Sequence, residues 1–391
     1  MKRRKILVTC AKGIPPFLKQ ELLGLGFPVL SDTVAGIETE GTIEDTMRLN
    51  LYLRTGHRVL FLLKEFIAAD ADALYRAVSD VTWEDHIDEN GYFSVASSVD
   101  NPTIRDSRYA NVKCKDAIAD RIRERRGRRP DSGPAQDGVV VNLYWKEDRC
   151  SLYLDTSGEP LSRRNYRKIP MTAPMQETLA AAVLLAAGWN GGGNVSNPHF
   201  INPMCGSGTL AIEAALIALN RAPGLLRDNY GFMHLKGFSR PLWDGLLEEA
   251  KKKSRDTTGC RLIATDIKKE AVEAARKNAE NAGVEHLIEF GISDYSGTAV
   301  PEGSGIVILN PEYGERMGKT EDLEGVYEGI GDFFKQKCKG YTGYLFTGNP
   351  DLAKKVGLKA KKRTPFFNGR IECRLLEYEL YEGSRKNKQD L

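Results

Sequence analysis

The stretch Phe200-Ile201-Asn202-Pro203-Met204-Cys205-Gly206-Ser207-Gly208-Thr209 decides the fold of the C-terminal half of the chain. Its apolar start predicts a short strand, its two glycines predict a tight turn, and the residues from Thr209 to Leu219 predict a helix. A strand that passes through glycines into a helix presents free backbone N–H groups at the positive helix end. The stretch therefore predicts a binding site for a ligand that carries a carboxylate or a phosphate.

Two further apolar strands of this half also end in polar residues. Arg261–Ala264 leads to Asp266, and Gly305–Leu309 leads to Asn310, with helical patterns between them. Strands that alternate with helices predict an α/β fold with a doubly wound, Rossmann-like sheet. In such a sheet the ligand sites lie at the carboxyl ends of the strands.

The glycine spacing argues against two common nucleotide folds. A dinucleotide fold needs G-x-G-x-x-G with an acidic residue about 20 residues further on, whereas Gly206-x-Gly208 stands alone and Asp266 lies much further away. A P-loop needs Lys and Ser or Thr after its last glycine, and Thr209-Leu210 follows here. Taken alone, the turn also fits a steric role for glycine, and Asp266 fits either two ribose hydroxyls or a helix cap.

Asn310-Pro311-Glu312-Tyr313, directly after an apolar strand, resembles motif IV of the amino-group methyltransferases that use S-adenosylmethionine. The resemblance implies that the Asn310 side chain and the Pro311 carbonyl accept hydrogen bonds from an exocyclic amine. It also implies that Tyr313 stacks on an extruded base, which is worth roughly 1–3 kcal/mol. An aryl amine is a poor nucleophile, and two acceptors at its protons favour the tetrahedral geometry that transfer needs. A simple Asn-Pro turn is the structural alternative.

Longer segments are similar to the bacterial THUMP-domain RNA guanine-N2 methyltransferases: 173–180, 202–209, 221–224, 310–318 and 367–373. The resemblance covers nearly the whole chain. It implies a ferredoxin-like domain over 1–64, a THUMP RNA-binding domain over 65–165 and a class I methyltransferase domain over 166–391. It implies methylation of guanosine N2, in 23S ribosomal RNA, with S-adenosylmethionine as cofactor and RNA as partner.

The same comparison implies a cofactor site in which the carboxylate lies near the turn amides, the ribose on Asp266 and the adenine near Asp294. A loop turn is the alternative for Asp294-Tyr295, and a small buried residue is a better interpretation of Cys205 than a nucleophile. Methylation of an amine needs no metal. The predicted cofactor-binding residues are Pro174, Asn202, Pro203, Met204, Cys205, Gly206, Gly208, Thr209, Asp266, Ile267, Asp294 and Tyr295.

Two positions depart from the family pattern. Asn202 stands where aspartate is usual, which could weaken a hydrogen bond to the cofactor. Glu312 stands where the second proline is usual, which brings a carboxylate beside the target amine. We hypothesise that Glu312 tunes substrate choice or helps to disperse the proton that is lost. A solvent-facing substitution explains Glu312 equally well.

Two basic runs in the N-terminal half, Lys113–Arg129 and Leu161–Pro170, predict RNA contacts. The alternative is a solvated helix face and a polar linker. A third run, which includes Lys354, Lys355, Lys359, Lys361, Lys362 and Arg363, either grips RNA or forms a solvated loop. The predicted RNA-binding residues are Lys113, Arg121, Arg125, Arg163, Arg164 and Arg167.

Composition excludes several other classes. The chain has 391 residues and a formal charge of +3, so any RNA must be met by local basic patches. Seven cysteines without a C-x-x-C pair predict reduced thiols in the cytoplasm. No apolar run reaches membrane-spanning length, and the five histidines form no metal-binding pattern. Two functions stay open beside guanine-N2 methylation: adenine-N6 methylation of RNA or DNA, and a non-catalytic RNA-binding or assembly factor with a decayed cofactor site.

Overall fold

The chain forms two compact units. The first comprises Met1–Cys10, Leu18–Arg163 and Arg227–Glu249, and the second comprises Ala11–Phe17, Arg164–Leu226 and Ala250–Leu391. The computed structural model describes residues 3–101, 104, 106–169, 171, 175–191, 198–313 and 320–381, with the backbone alone for 320–322. No helix within these ranges is long and apolar enough to cross a membrane.

The first unit is built on an 8-stranded sheet with the order β2-β3-β1-β4-β8-β7-β5-β6. Helix α2 begins at a capping box, in which the Thr42 hydroxyl accepts from the Asp45 N–H and the Asp45 carboxylate accepts from the Thr42 N–H. The strands are β1 Arg4–Thr9, β2 Ser31–Thr33, β3 Gly36–Gly41, β4 Arg58–Ile67, β5 Tyr92–Asp100, β6 Asp131–Ser132, β7 Val139–Lys146 and β8 Arg149–Asp155. The helices are α2 Ile43–Tyr52, α3 Ala71–Ser79 and α4 Ser107–Arg126, and α1 Pro15–Gly24 has residues in both units.

The second unit is built on a 7-stranded sheet with the order β11-β10-β9-β12-β13-β15-β14. Its strands are β9 Pro198–Pro203, β10 Leu262–Asp266, β11 Ile288–Ile292, β12 Ser304–Leu309, β13 Thr342–Thr347, β14 Lys362–Asn368 and β15 Ile371–Glu379. Its helices are α5 Glu177–Ala186, α6 Thr209–Ala218, α8 Lys269–Asn281, α9 Thr320–Lys337 and α10 Pro350–Lys355, while α7 Arg240–Lys253 spans the unit boundary.

The strand order of the second unit places its functional crevice. β9 pairs in parallel with β10 on one side and with β12 on the other. The order in which the chain adds strands to the sheet therefore changes direction at β9, with β10 and β11 on one side and β12 and β13 on the other. Ligands of open α/β sheets bind outside the carboxyl ends of the strands at such a switch point. Pro203, Asp266 and Leu309 end these three strands, so the residues that follow them meet at one edge.

The core of the second unit lies between α9 and the sheet. Tyr327, Ile330 and Phe334 of α9 are fully buried and pack against Leu345 of β13. Burying a large apolar side chain stabilises the fold by about 1.5–3 kcal/mol. β15 runs antiparallel between β13 and β14, which completes the doubly wound, Rossmann-like α/β architecture expected from the sequence.

Several local predictions need correction. For the third basic run the sequence left RNA binding and a solvated loop as alternatives, and the structure places Lys354 and Lys355 in α10 and Lys362 and Arg363 at the start of β14. The stretch Arg126–Gly138 is rich in Gly, Pro, Asp and Arg, which predicts a surface loop, but it contains the short strand β6, which pairs with β5. The short strands β2 and β3 were not predicted. The sequence over Thr172–Ala187 predicts a helix. The structure has α5 over Glu177–Ala186, and residues 172–174 lie outside the described residues.

Candidate active site

The turn after β9 has an unusual backbone. Met204, Gly206 and Gly208 all have positive φ, at 59°, 54° and 82°. A non-glycine residue in this region costs of order 1–3 kcal/mol, so the strain at Met204 points to a functional constraint. A Cβ at Gly208 would lie 2.8 Å from the Cβ of Ala275 in α8. Glycine is therefore required at 208 by both its φ and the close approach of the helix.

The start of α6 offers unsatisfied donors. Gly208 is the N-cap and contributes no side-chain hydrogen bond. The first N–H groups of a helix have no acceptor within the helix. The amides at the start of α6 are thus able to bind an anion, with the helix dipole in support.

Asp266 connects β10 to this turn. Its Oδ2 accepts from the Gly206 N–H at 2.9 Å, and its Oδ1 accepts from the Lys268 N–H at 3.0 Å. The second bond reaches the N–H of Lys268, the N-cap residue of α8, whose side chain makes no capping hydrogen bond, so Asp266 holds the turn and the chain leading into this helix. A carboxylate accepts about four hydrogen bonds, which leaves Asp266 able to accept from two further donors.

Asn202 of β9 links this strand to β12 through its side chain. Its Nδ2 donates to the Ile308 carbonyl at 2.9 Å, a bond that the aspartate usual at this position could not make. Its Oδ1 is buried and has no hydrogen-bond partner among the described residues. An unsatisfied buried acceptor costs about 1–3 kcal/mol, so Oδ1 is available to a ligand donor such as an ammonium group. The bond to Ile308 is thus a structural gain of asparagine at this position, and the weaker hydrogen bond to the cofactor stays a prediction.

Asn310 lies just beyond β12 with a second unpartnered acceptor. Its Oδ1 is buried and makes no hydrogen bond within the described part of the chain. The next residues are held from both sides, because Tyr327 Oη donates to the Glu312 carbonyl at 3.3 Å and the Glu312 carboxylate lies 3.4 Å from Lys268 Nζ. The backbone around Pro311 is thus anchored while Asn310 Oδ1 still needs a donor.

Tyr313 forms a fixed aromatic platform. Asn368 Nδ2 donates to its hydroxyl at 3.0 Å, and Phe346 meets its ring edge-on at 6.3 Å between centroids. A Cβ at Gly348 would come within 2.9 Å of the Tyr313 ring, so that glycine makes room for it. Burial raises the pKa of Tyr313 above its usual value, and the hydroxyl stays neutral at physiological pH.

Apolar side chains flank Asp266 at the crevice edge. Ile267 is 66% exposed, and Ile292, which pairs in register with Asp266 across β10 and β11, is 58% exposed. Exposed isoleucines at a strand end suit one face of a planar ring such as adenine. Ile267 was predicted as a cofactor-binding residue. Ile292 was not, because its position beside Asp266 depends on the pairing of β10 with β11.

The two residues predicted beside adenine differ in their surroundings. Asp294 is exposed and its Oδ1 accepts from the N–H and the hydroxyl of Ser296. Tyr295 instead donates to the Val326 carbonyl at 3.3 Å and meets Phe333 edge-on. The structure therefore favours a packing role for Tyr295, while the contact of Asp294 with adenine stays a prediction. Pro174 lies outside the described residues.

Cys205 is buried behind the turn. Burial, followed by the charge of Asp266, raises the pKa of its thiol well above the usual value. A thiol in this state is a poor nucleophile, which agrees with the interpretation of Cys205 as a small packing residue.

A buried asparagine of α8 holds the turn after β9 in place. Asn278 of α8 is fully buried, and its Nδ2 donates to the Ser207 carbonyl at 3.1 Å and to the Ile169 carbonyl at 3.2 Å. Its Oδ1 accepts from the N–H groups of Lys168 and Ile169 at 3.0 and 3.2 Å. One side chain thus ties segment 168–169 to the cofactor turn. The sequence carries no local signal for such a role.

Two residues that were predicted to contact RNA instead lie buried or mostly buried against helix α6. Arg164 is 1% exposed and pairs with the fully buried Glu213 at 2.6 Å. Arg167 is mostly buried, and its Nη2 donates to the Met175 carbonyl and the Thr209 hydroxyl and pairs with Glu177. Side chains enclosed in this way do not reach RNA phosphates. We therefore correct both assignments to structural support of the turn.

The predicted RNA contacts of the first unit differ in exposure, and the side chain of Arg121, at 16%, is as enclosed as that of Arg167. Lys113 pairs with Asp72 at 3.4 Å, Arg121 pairs with Glu84 at 2.9 Å and Arg163 pairs with Glu159 at 2.7 Å. Arg125 is exposed and makes no ion pair with a described residue. Arg163, whose side chain is 68% exposed, and Arg125 are the most accessible of the four.

The geometry defines a class of protein: a doubly wound α/β domain with a glycine turn at a helix start, an acidic strand end, and an Asn-Pro-x-Tyr segment whose asparagine Oδ1 has no donor among the described residues. Residues 164–377 match the family described as RMKL-like, methyltransferase domain. Residues 5–60 match the RlmL ferredoxin-like domain, and residues 68–155 match the THUMP domain. The chain belongs to this methyltransferase family, which confirms the predicted fold class, the three domain types and S-adenosylmethionine as the cofactor.

The most similar relatives include full-length and partial matches. The chain is 34% identical to "Putative RNA methyltransferase slr0064" of Synechocystis over 97% of each protein. It is 40% identical to "Ribosomal RNA large subunit methyltransferase K/L" of Syntrophotalea carbinolica, over 97% of this chain and 54% of that protein. The chain spans about half the length of the K/L relatives it matches.

Solved structures of the same architecture are also similar. One is described as "SMU.472, a putative methyltransferase complexed with SAH", with a TM-score of 0.87, 27% identity and coverage of 98% of this chain and 100% of that one. Another is described as a predicted N6-adenine-specific DNA methylase from Listeria monocytogenes, with a TM-score of 0.85, 28% identity and coverage of 98% and 97%.

Proposed function

We propose that this chain transfers a methyl group from S-adenosylmethionine to the exocyclic N2 amine of a guanosine in RNA of the large ribosomal subunit. The observation that carries the proposal is the buried Oδ1 of Asn310, which has no partner among the described residues, three positions before the fixed ring of Tyr313. The names of the RNA methyltransferase relatives support the choice of RNA.

The residues of the turn fit the cofactor. The amides of α6 suit its carboxylate, Asn202 Oδ1 suits its ammonium group, and the remaining acceptor capacity of Asp266 suits its ribose. When bound, S-adenosylmethionine supplies a methyl group on a sulfonium, whose C–S bond breaks as the N–C bond forms. The residues of the chain contribute to the reaction chiefly by positioning.

The target base is held by acceptors and stacking. Asn310 Oδ1 and the Pro311 carbonyl accept hydrogen bonds from the two N2–H groups, and Tyr313 stacks on the extruded guanine. Stacking worth roughly 1–3 kcal/mol offsets much of the few kcal/mol spent in taking the base out of its stack. The N2 proton leaves after the new bond forms, toward water or the neighbouring Glu312 carboxylate.

A methyl-transfer assay tests the proposal. Deproteinised large-subunit RNA from a strain lacking this protein, incubated with the purified chain and S-adenosylmethionine labelled in its methyl group, is expected to take up label. Duplex DNA serves as the second substrate. Label in DNA but not in RNA would contradict the choice of RNA.

Two alternatives are separated by further measurements. An adenine-N6 methyltransferase shares the Asn-Pro-x-Tyr logic, and the description of the Listeria structure favours it. It would yield N6-methyladenosine. A non-catalytic RNA-binding factor would bind no S-adenosylmethionine in calorimetry. The turn glycines, Asp266, Asn310 and Tyr313 are all present, which argues against this alternative.

Asn278 gives a prediction about positioning. Asn278→Leu removes the bond to the Ser207 carbonyl and leaves buried backbone groups unpaired, at about 1–3 kcal/mol each. We expect a lower Tm and a Kd for S-adenosylmethionine that is raised about tenfold. Asn281→Ala is the matched control, since Asn281 Nδ2 donates to the Tyr166 carbonyl of the same segment without a bond to the turn. Wild-type cofactor affinity in Asn278→Leu would refute the positioning role.

Glu312 gives a second, smaller prediction. Its side chain is 38% exposed and pairs with Lys268, and such a surface pair adds only about 0–1 kcal/mol to stability. If Glu312 helps to disperse the proton, Glu312→Gln lowers kcat by about tenfold, below the usual range for proton transfer because water competes. Lys268→Gln is the control for loss of the ion pair alone. A wild-type kcat and an unchanged base preference in Glu312→Gln would leave Glu312 as a solvent-facing residue.

A further inference from the structure

The third basic run separates into a neutralised part and an unbalanced part. Lys354 pairs with Asp351 at 2.8 Å, Lys355 pairs with Glu324 at 2.7 Å, and Lys361 pairs with Glu379. Lys362 and Arg363, the first residues of β14, are exposed and form no ion pair with any described residue. The unbalanced charge of this run thus includes the start of one strand.

That strand forms the edge of the sheet. β14 is last in the strand order of the second unit and pairs with β15. Arg370, in the turn that joins the two strands, is also exposed and makes no ion pair within the described ranges. Cations therefore lie at both ends of the edge strand.

A fourth cation is held on the same strand by a packed segment. Ala11–Phe17 belongs to the second unit. A Cβ at Gly13, whose φ is +89°, would lie 2.8 Å from the Pro365 carbonyl oxygen, and Phe17 stacks on Phe366 at 5.7 Å between centroids. This packing places Lys12 Nζ 4.3 Å from the centroid of the Phe367 ring. Lys12 is exposed and has no acidic partner in the described part of the chain.

The strand leads to the base platform. Asn368, its last residue, donates the hydrogen bond to the Tyr313 hydroxyl at 3.0 Å. We define Lys12, Lys362, Arg363 and Arg370 as the basic edge. β14 thus carries both Lys362 and Arg363 of the basic edge and the asparagine that holds the Tyr313 ring in place.

We propose that the basic edge binds backbone phosphates of the RNA strand next to the extruded nucleotide. This inference rests on the proposed function, and it assigns to the methyltransferase unit a substrate contact of its own. Lysines on an edge strand also discourage strand-to-strand association of sheets. The test below distinguishes that role from RNA binding.

The experiment compares two double variants that remove the same charge. Lys362→Ala/Arg363→Ala changes the basic edge, and Lys354→Ala/Lys355→Ala changes the neutralised part of the run. Affinity for deproteinised 23S ribosomal RNA is measured across a salt series, and the Kd for S-adenosylmethionine reports on folding. Each single-strand phosphate contact contributes about 0.7 to the slope of log K against log salt. Loss of two contacts lowers that slope by about 1.4.

We expect the edge variant to show the shallower slope and an affinity about tenfold weaker near 0.1 M salt, and the control to match wild type. Lys12→Gln, a single exposed change, is expected to lower the slope by about 0.7 and serves if the double variant is unstable. Equal slopes in all variants would overturn the basic edge but leave the proposed function intact if wild type still methylates RNA. Self-association of the edge variant with an unchanged slope would assign these cations to edge protection. Failure of wild type to bind the RNA would overturn both proposals.

Discussion

Asn310→Ala is expected to lower kcat by about 10²–10³, with the Kd for S-adenosylmethionine within about twofold of wild type. Its Oδ1 is the buried acceptor without a described partner, and the positive charge that develops on the attacking amine strengthens its hydrogen bond in the transition state. Loss of one preorganised group of this kind costs about 2.7–4 kcal/mol in other enzymes. Single-turnover methylation of large-subunit RNA measures the effect.

Two comparisons make the Asn310 result specific. Asn310→Asp keeps an acceptor oxygen and is expected to retain more activity than alanine. Tyr313→Phe keeps the stacking ring and removes the hydroxyl held by Asn368, so it should lose far less rate than Asn310→Ala. Loss of cofactor binding in Asn310→Ala, or a kcat near wild type, would contradict the assigned role.

Asp266→Ala is expected to raise the Kd for S-adenosylmethionine by about 10²-fold or more. Hydrogen bonds to a charged acceptor are worth about 1.5–3 kcal/mol each, and two ribose hydroxyls would lose them. The variant also frees the Gly206 and Lys268 N–H groups, so the turn loses its anchor to β10. Calorimetric titration of the cofactor measures the change.

A stability control separates the two effects of Asp266. Asp266→Asn keeps an oxygen that can accept from Gly206 and loses the charge, so it should restore Tm more than it restores cofactor affinity. Asp294→Asn tests the predicted adenine contact on the neighbouring strand under the same conditions. If Asp266→Ala bound the cofactor as wild type does, the ribose assignment would fail.

The sequence predicted those parts of the fold that depend on local pattern. The strand-turn-helix at 200–219 and the strands predicted over Arg261–Ala264 and Gly305–Leu309 follow from apolar pattern and glycine positions, and the structure has all three, within a few residues at their ends. β2 has only three residues, and β3 has a single apolar residue, Ile37, to mark a buried face. β14 was hidden because its basic start resembles a solvated loop.

The sequence predicted only those site residues that lie at, or directly after, the end of an apolar strand. Asp266 and Asn310 end or follow apolar strands, so their position at the switch point could be inferred. Asn278, Asn368 and Gly348 act across long sequence separations, through contacts to Ser207 and Tyr313. Basic sequence alone misassigned Arg164, because its partner Glu213 lies on a helix far along the chain.

The central claim is methyl transfer to guanosine N2, and the identity of the methylated nucleoside tests it most directly. RNA from the large subunit of a strain lacking this protein is methylated by the purified chain, digested to nucleosides and analysed by mass spectrometry against authentic standards. We predict N2-methylguanosine as the product, absent when Asn310→Ala replaces wild type. N6-methyladenosine as the sole product, or no methylated nucleoside despite bound S-adenosylmethionine, would contradict the claim.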